Sequence, residues 1–135
     1  MNFYPDQIFH VYNQGNNRQT IFFSDENYRY FEWKMKAYIM PFADIISYCL
    51  MPNHFHFLIY VMKTEVERSL LNDHVVKIEN ERRISSYGDS AILSLNKPQL
   101  KRKENQLITL NESIGILQRT YTRAINTEKN WSGSL

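Results

Sequence analysis

Residues 44–62 read Asp-Ile-Ile-Ser-Tyr-Cys-Leu-Met-Pro-Asn-His-Phe-His-Phe-Leu-Ile-Tyr-Val-Met. β-Branched and aromatic residues crowd both ends, and Met51-Pro52-Asn53 interrupts them. Asp44–Leu50 therefore reads as one strand, Met51–Asn53 as a tight turn and His54–Met62 as the next strand, an antiparallel hairpin. Apolar residues on both faces of the pair predict a central place in a sheet. Outward from the hairpin, Ile8–Tyr12 reads as a first strand and Asn13–Gln19 as a polar turn, with Thr20–Phe23 extending or pairing that strand. Ser24 followed by Asp25 and Glu26 opens a helix with an N-cap and acids in its first turn. Tyr28, Phe31, Met35 and Tyr38 recur at helical spacing, and Pro41 ends the run.

Downstream of the hairpin, Thr64-Glu65-Val66-Glu67 fits a capping box and predicts a helix from Glu65 to about Arg83. Residues 84–106 read as a loop or insertion, rich in Ser, Gly, Asn and Pro, with a short strand at Ala91–Leu95 inside it. Asn111–Asn126 forms the last helix, with Ile114, Leu117, Tyr121 and Ile125 on one face, and the tail from Lys129 has turn chemistry. The expected architecture is α+β, an antiparallel sheet covered by helices on one face. A ferredoxin-like or RNA-recognition-like plan is the nearest common topology.

With 135 residues, the chain fits a single domain, 1–135. Nineteen aromatic rings and only four Gly and four Pro argue against a disordered or collagen-like chain. One cysteine, Cys49, excludes an internal disulfide framework or a Cys-rich zinc site, and reads as a small buried hydrophobe. Neither a signal peptide nor a membrane-length apolar run is present, so a cytoplasmic protein without membrane contact is expected. The net charge of +2 hides an asymmetry: residues 97–135 hold seven basic and three acidic side chains. That balance suits a polyanionic partner or a solvated helical face equally.

The hairpin also holds the sharpest chemical feature. In a strand, residues i and i+2 share a face, so His54 and His56 project together, their Cα atoms roughly 6.6 Å apart. Both rings can then reach one divalent ion, with a third ligand and open positions still to fill. Phe55 and Phe57 point the other way, into the core. Four histidines make a His-x-His by chance often enough that the pattern needs support. Tyr121 is the second feature, flanked by Arg119 and Arg123. Nearby cations favour a phenolate, which can attack a phosphodiester. Its position on the apolar stripe, among nine tyrosines, reads first as an ordinary core tyrosine. His10 and His74 have no partner in sequence and carry no assigned role.

Tyr48-Cys49-Leu50-Met51-Pro52-Asn53-His54-Phe55-His56-Phe57-Leu58-Ile59 resembles the HUH motif of single-tyrosine transposases, the REP-associated and insertion-sequence branch in particular. Two further segments are similar to that family in the same order: His10–Arg18 with Phe22-Phe23, and Tyr121–Asn126 with Ser132–Leu135. The resemblance implies an α+β HUH transposase domain that cleaves and rejoins single-stranded or hairpin DNA through a 5′-phosphotyrosine. It implies His54 and His56 as ligands of Mg²⁺ or Mn²⁺, Asn126 as third ligand and Tyr121 as nucleophile; helix geometry offers Gln118, which shares Tyr121's face better, as the alternative third ligand. Arg18, Lys101, Arg102, Lys103, Arg119 and Arg123 become candidate phosphate contacts. The protein would act in the cytoplasm, at the nucleoid when bound to DNA, as a monomer or a homodimer. Departures from the family are Gln14 in place of an arginine, a longer segment 63–110, and a chain that stops at Leu135 as though shortened. The competing readings are a catalytically idle single-strand DNA-binding relic and an HUH nuclease that nicks for replication or transfer.

Overall fold

The computed structural model describes residues 2–87 and 106–131. Its elements run in the order β1 (Gln7–Gln14), a single 3-10 turn (Asn16–Arg18), α1 (Asp25–Ile39), β2 (Ala43–Met51), β3 (His54–Val61), β4 (Glu65–Glu67), α2 (Arg68–Tyr87), β5 (Leu107–Thr109) and α3 (Leu110–Lys129). It is an α+β protein, with three helices, a three-stranded antiparallel sheet in the order β1-β3-β2, and a two-stranded antiparallel pair β4-β5. No helix among the described residues is long and apolar enough to cross a membrane.

β3 is the central strand and decides the layering. Phe55, Phe57, Ile59 and Val61 are each 3% exposed or less, while the alternate residues His54, His56, Leu58 and Tyr60 are half-buried. A strand with period-two burial has one covered face and one open face. The expectation that both strands of the hairpin are central is thus corrected: β3 is central, but β2 is an edge strand. A bulge between Ile45 and Ser47 leaves Ile46 half-exposed on that edge.

Helices α1 and α3 close the covered face. Ser24 caps α1 by accepting from the Asn27 amide, and Phe31, Met35 and Ile39 recur on its buried side. The Phe31 ring lies 5.0 Å from that of Phe55, which fastens α1 to β3. Thr109 caps α3 by accepting from the Glu112 amide, and Leu110, Ile114, Leu117, Tyr121 and Ile125 are buried along it. Asn130, in the left-handed region, stops it, its amide bonding the Asn126 and Thr127 carbonyls.

Three expected local structures differ. Thr20–Phe23 forms no strand; the amides of Ile21 and Phe22 instead bond the Pro52 carbonyl at 2.8 and 3.1 Å, draping the loop over the β2–β3 turn. Gly15 permits that path, since a Cβ there would meet the Gln19 carbonyl and sit 2.8 Å from Ile21 Cγ2. The capping box at Thr64–Glu67 starts no helix. Val66 is buried between exposed Glu65 and Glu67, a strand pattern, and pairs with Ile108. The helix begins at Arg68 and runs on to Tyr87, so 84–87 is helical where a loop was expected. The rest of the expected insertion, including the Ala91–Leu95 strand, lies outside the described residues.

Between the three helices sits a half-buried cation. Lys34 Nζ donates to Thr120 Oγ1 at 2.7 Å and lies over the rings of Tyr30 and Tyr38 at 5.0 and 5.3 Å. Burial lowers its pKa to about 8, only partly offset by Glu79; Arg82, paired with Glu79, lowers it further. Between pH 8 and 10.5 the unfolded chain therefore holds a proton that the folded chain has lost, so folding stability should rise with pH. Above 10 the raised pKa values of Tyr30, Tyr38 and Tyr121 act in the opposite sense. Urea midpoints should increase from pH 7.5 to 9.5 by the equivalent of on the order of 1 kcal/mol, and Lys34→Met should flatten the rise. An equal rise in both proteins would assign it to other groups.

Candidate metal centre on the open sheet face

Register places a run of polar and aromatic side chains on the face that the helices leave bare. Ile8, His10, Tyr12 and Gln14 of β1 stand on that face opposite Tyr60, Leu58, His56 and His54 of β3. Cys49 and Met51 of β2 stand opposite His56 and His54 from the other side. His54 and His56 therefore share a face as expected, with ring centroids 5.0 Å apart and planes at 86°. Cys49 belongs to this face too: it is exposed, which corrects its reading as a buried hydrophobe.

Each imidazole has a partner on its Nδ1. His54 Nδ1 lies 2.7 Å from Asn53 Oδ1, and Asn53 Nδ2 donates to the Arg18 carbonyl at 3.4 Å. His56 Nδ1 lies 2.9 Å from His10 Nε2, with the two rings within 4° of parallel. The His56 pKa is lowered, by lost hydration first and then by the two flanking imidazoles. Its neutral, metal-ligating form is favoured accordingly. Tyr12 lies across both rings, 4.7 Å from His56 and 5.9 Å from His54, and its hydroxyl donates to Gln14 Oε1 at 3.3 Å. Its side chain is 48% exposed.

His10, Tyr12, Gln14 and Asn53 were not singled out as site residues from the sequence. The signal was the alternation Ile8, His10, Tyr12, Gln14 in the first strand; what was missing was the register that sets it against His54 and His56. His74, also without a sequence partner, donates from Nε2 to the Lys36 carbonyl at 3.0 Å and ties α2 to α1.

The structure does not bring Tyr121 to the histidines. It is 4% exposed, on the covered side of the sheet, among the rings of Phe22, Tyr30 and Phe31. Its hydroxyl donates to the Ile21 carbonyl at 2.6 Å. Burial pushes its pKa up, and Glu128, Tyr28 and Tyr30 push the same way. The expectation that Arg119 and Arg123 favour a phenolate is thus reversed: both arginines are exposed, and the phenol stays protonated. Gln118 and Asn126 lie on α3 with Tyr121, and Gln118 lines a cleft together with Gln14, Gly15, Phe55 and Tyr121.

Of the candidate phosphate contacts, Arg18 is exposed on the turn that packs against Asn53, at the histidine end of the sheet. Arg119 and Arg123 are exposed on α3, on the far side. Lys101, Arg102 and Lys103 lie outside the described residues. Among the described residues no group of three or more His, Cys, Asp or Glu side chains is arranged to hold a metal ion. The donor set is therefore two imidazoles on the open face. That suits an open site whose other positions go to water and phosphate oxygens, and imidazole donors suit Mn²⁺ better than Mg²⁺.

No protein-family model, no curated protein and no solved structure matches this chain. Tyr121→Phe should cost about 1–3 kcal/mol of stability by stripping the buried Ile21 carbonyl of its donor. Urea unfolding measures this; an unchanged midpoint would show that the hydroxyl is not held in the core.

Proposed function

We propose that this chain is a DNA strand-transfer domain of the HUH transposase kind, acting on single-stranded or hairpin DNA. The observation that carries the reading is the pair His54 and His56, held side by side on an open sheet face beside an exposed phenol. The order β1-β3-β2, with α1 between the first two strands in sequence, supports a ferredoxin-like or RNA-recognition-like plan. An uncovered antiparallel sheet face is wide enough to seat several nucleotides, and Tyr12 offers a ring on which a base can stack.

In this reading His54 and His56 hold Mg²⁺ or Mn²⁺, which supplies Lewis-acid polarisation of the scissile phosphate. Arg18, at the same end, contributes a phosphate contact. A tyrosine oxygen attacks phosphorus, the bond from phosphorus to the 3′ oxygen breaks, and the phenol's proton ends on that departing oxygen. The 5′-phosphotyrosine conserves the bond energy, so rejoining needs no ATP. Two phenols compete for the role. Tyr121 follows from the family resemblance but would have to leave the Ile21 carbonyl and the Phe22–Phe31 cluster. Tyr12 already shares the imidazole face, and geometry favours it. Such a domain would work in the cytoplasm, at the nucleoid, as a monomer or homodimer.

The burial of Tyr121 also favours a second reading, a single-strand DNA-binding domain that does not cleave. The two are separated by incubating the protein with Mn²⁺ and end-labelled single-stranded DNA. A covalent adduct is expected, reduced at least about a hundredfold in His54→Ala and His56→Ala, lost in Tyr12→Phe and retained in Tyr121→Phe. Loss in Tyr121→Phe instead would require α3 to undock during the reaction. Salt-sensitive binding that yields no adduct and ignores Mn²⁺ would leave the second reading standing.

A further inference from the structure

We propose that His10 and Asn53 are positioning residues that fix the tautomers of the paired imidazoles, so that both present Nε2 to a divalent cation. The proposal deepens the metal reading above and rests on it. For His54 the argument is one of donors and acceptors. The Asn53 amide is oriented by its Nδ2 donating to the Arg18 carbonyl, which turns Oδ1 toward the ring. An amide oxygen only accepts, so His54 Nδ1 carries the hydrogen and Nε2 the lone pair.

His56 faces another imidazole, and two arrangements satisfy the 2.9 Å contact. If His10 donates, His56 Nε2 must carry the hydrogen of the neutral ring and cannot ligate. If His10 accepts, His56 Nδ1 carries the hydrogen and Nε2 is bare. Only the second gives both histidines the same free nitrogen. The near-parallel planes of the two rings align the nitrogens for such a bond. No other group among the described residues is recorded bonding either Nε2. Because His10 is exposed, this contact contributes little to core packing, and its use is to hold a neighbour's ring. Partners of this kind set ring orientation and ligand basicity at metal sites.

Two measurements test it. Nitrogen-15 NMR of the metal-free protein should find His54 and His56 as Nδ1–H tautomers, with His10 accepting through Nε2. Mn²⁺ titration followed by electron paramagnetic resonance should give binding weakened about ten- to hundredfold in His10→Phe. His10→Gln should restore affinity to within a few-fold of the original, since its Oε1 can accept the same hydrogen. A purely structural His10 would not be rescued in that way, nor would its replacement change the His56 tautomer. An Nε2–H tautomer at His56, or Mn²⁺ affinity untouched in His10→Phe, would overturn the proposal. If the unaltered protein binds no Mn²⁺, the metal reading itself fails, and the NMR result then reports separately on the hydrogen bonds.

Discussion

The arrangement depends on one constraint: the side chains of β3 alternate, and its two faces have been given different tasks. Phe55, Phe57, Ile59 and Val61 supply the covered face, and against it α1 and α3 bury their apolar stripes. His54 and His56 occupy the intervening positions and therefore cannot enter the core without moving the aromatic residues out of it. A one-residue slip of the strand would exchange the two sets and expose four large apolar side chains. The burial of the phenylalanines is what holds the imidazoles toward solvent, so the energy of the core also fixes the geometry of the candidate site.

The same constraint explains how much of the molecule was legible in the sequence. Strand β3 and its facing were readable because the hydrophobic period and the histidine spacing fall on the same residues. Helix α1 was readable because Ser24, the acids after it and Pro41 mark both ends. The start of α2 was not, because Thr64-Glu65-Val66-Glu67 carries a helix-initiation pattern and a strand alternation together. A partner strand 42 positions away, Leu107–Thr109, decided between them, and no local signal reports on such a partner. The β2 edge was misjudged for a related reason: apolar residues on both sides of a strand describe it equally well when a bulge turns some of them to solvent.

The candidate site was legible by half. His54 and His56 needed only the strand period. His10 needed the pairing of β1 with β3, a relation between segments 46 residues apart, and a lone histidine in a short strand carries no trace of it. Tyr121 is the converse case. Its helix, its apolar stripe and its flanking arginines all formed as expected, yet the pattern that placed it on the stripe also placed it in the core. Two readings of one tyrosine were open in the sequence, and in this arrangement the hydroxyl is bonded to the Ile21 carbonyl as the core reading expects.

That bond has a consequence for any chemistry on the open face. The loop of residues 15–23 is held at two points: Ile21 and Phe22 donate to the Pro52 carbonyl, and the Ile21 carbonyl receives the Tyr121 hydroxyl. Pro52 precedes Asn53, which bonds both the His54 ring and the Arg18 carbonyl. Tyr121 is thus connected to the imidazole end through a continuous series of contacts that crosses from the covered side of the sheet to the open one. In this arrangement its effect on the histidines is to brace the turn that carries Asn53. A buried phenol with a raised pKa is well suited to that work, because burial favours the protonated form that donates the bond.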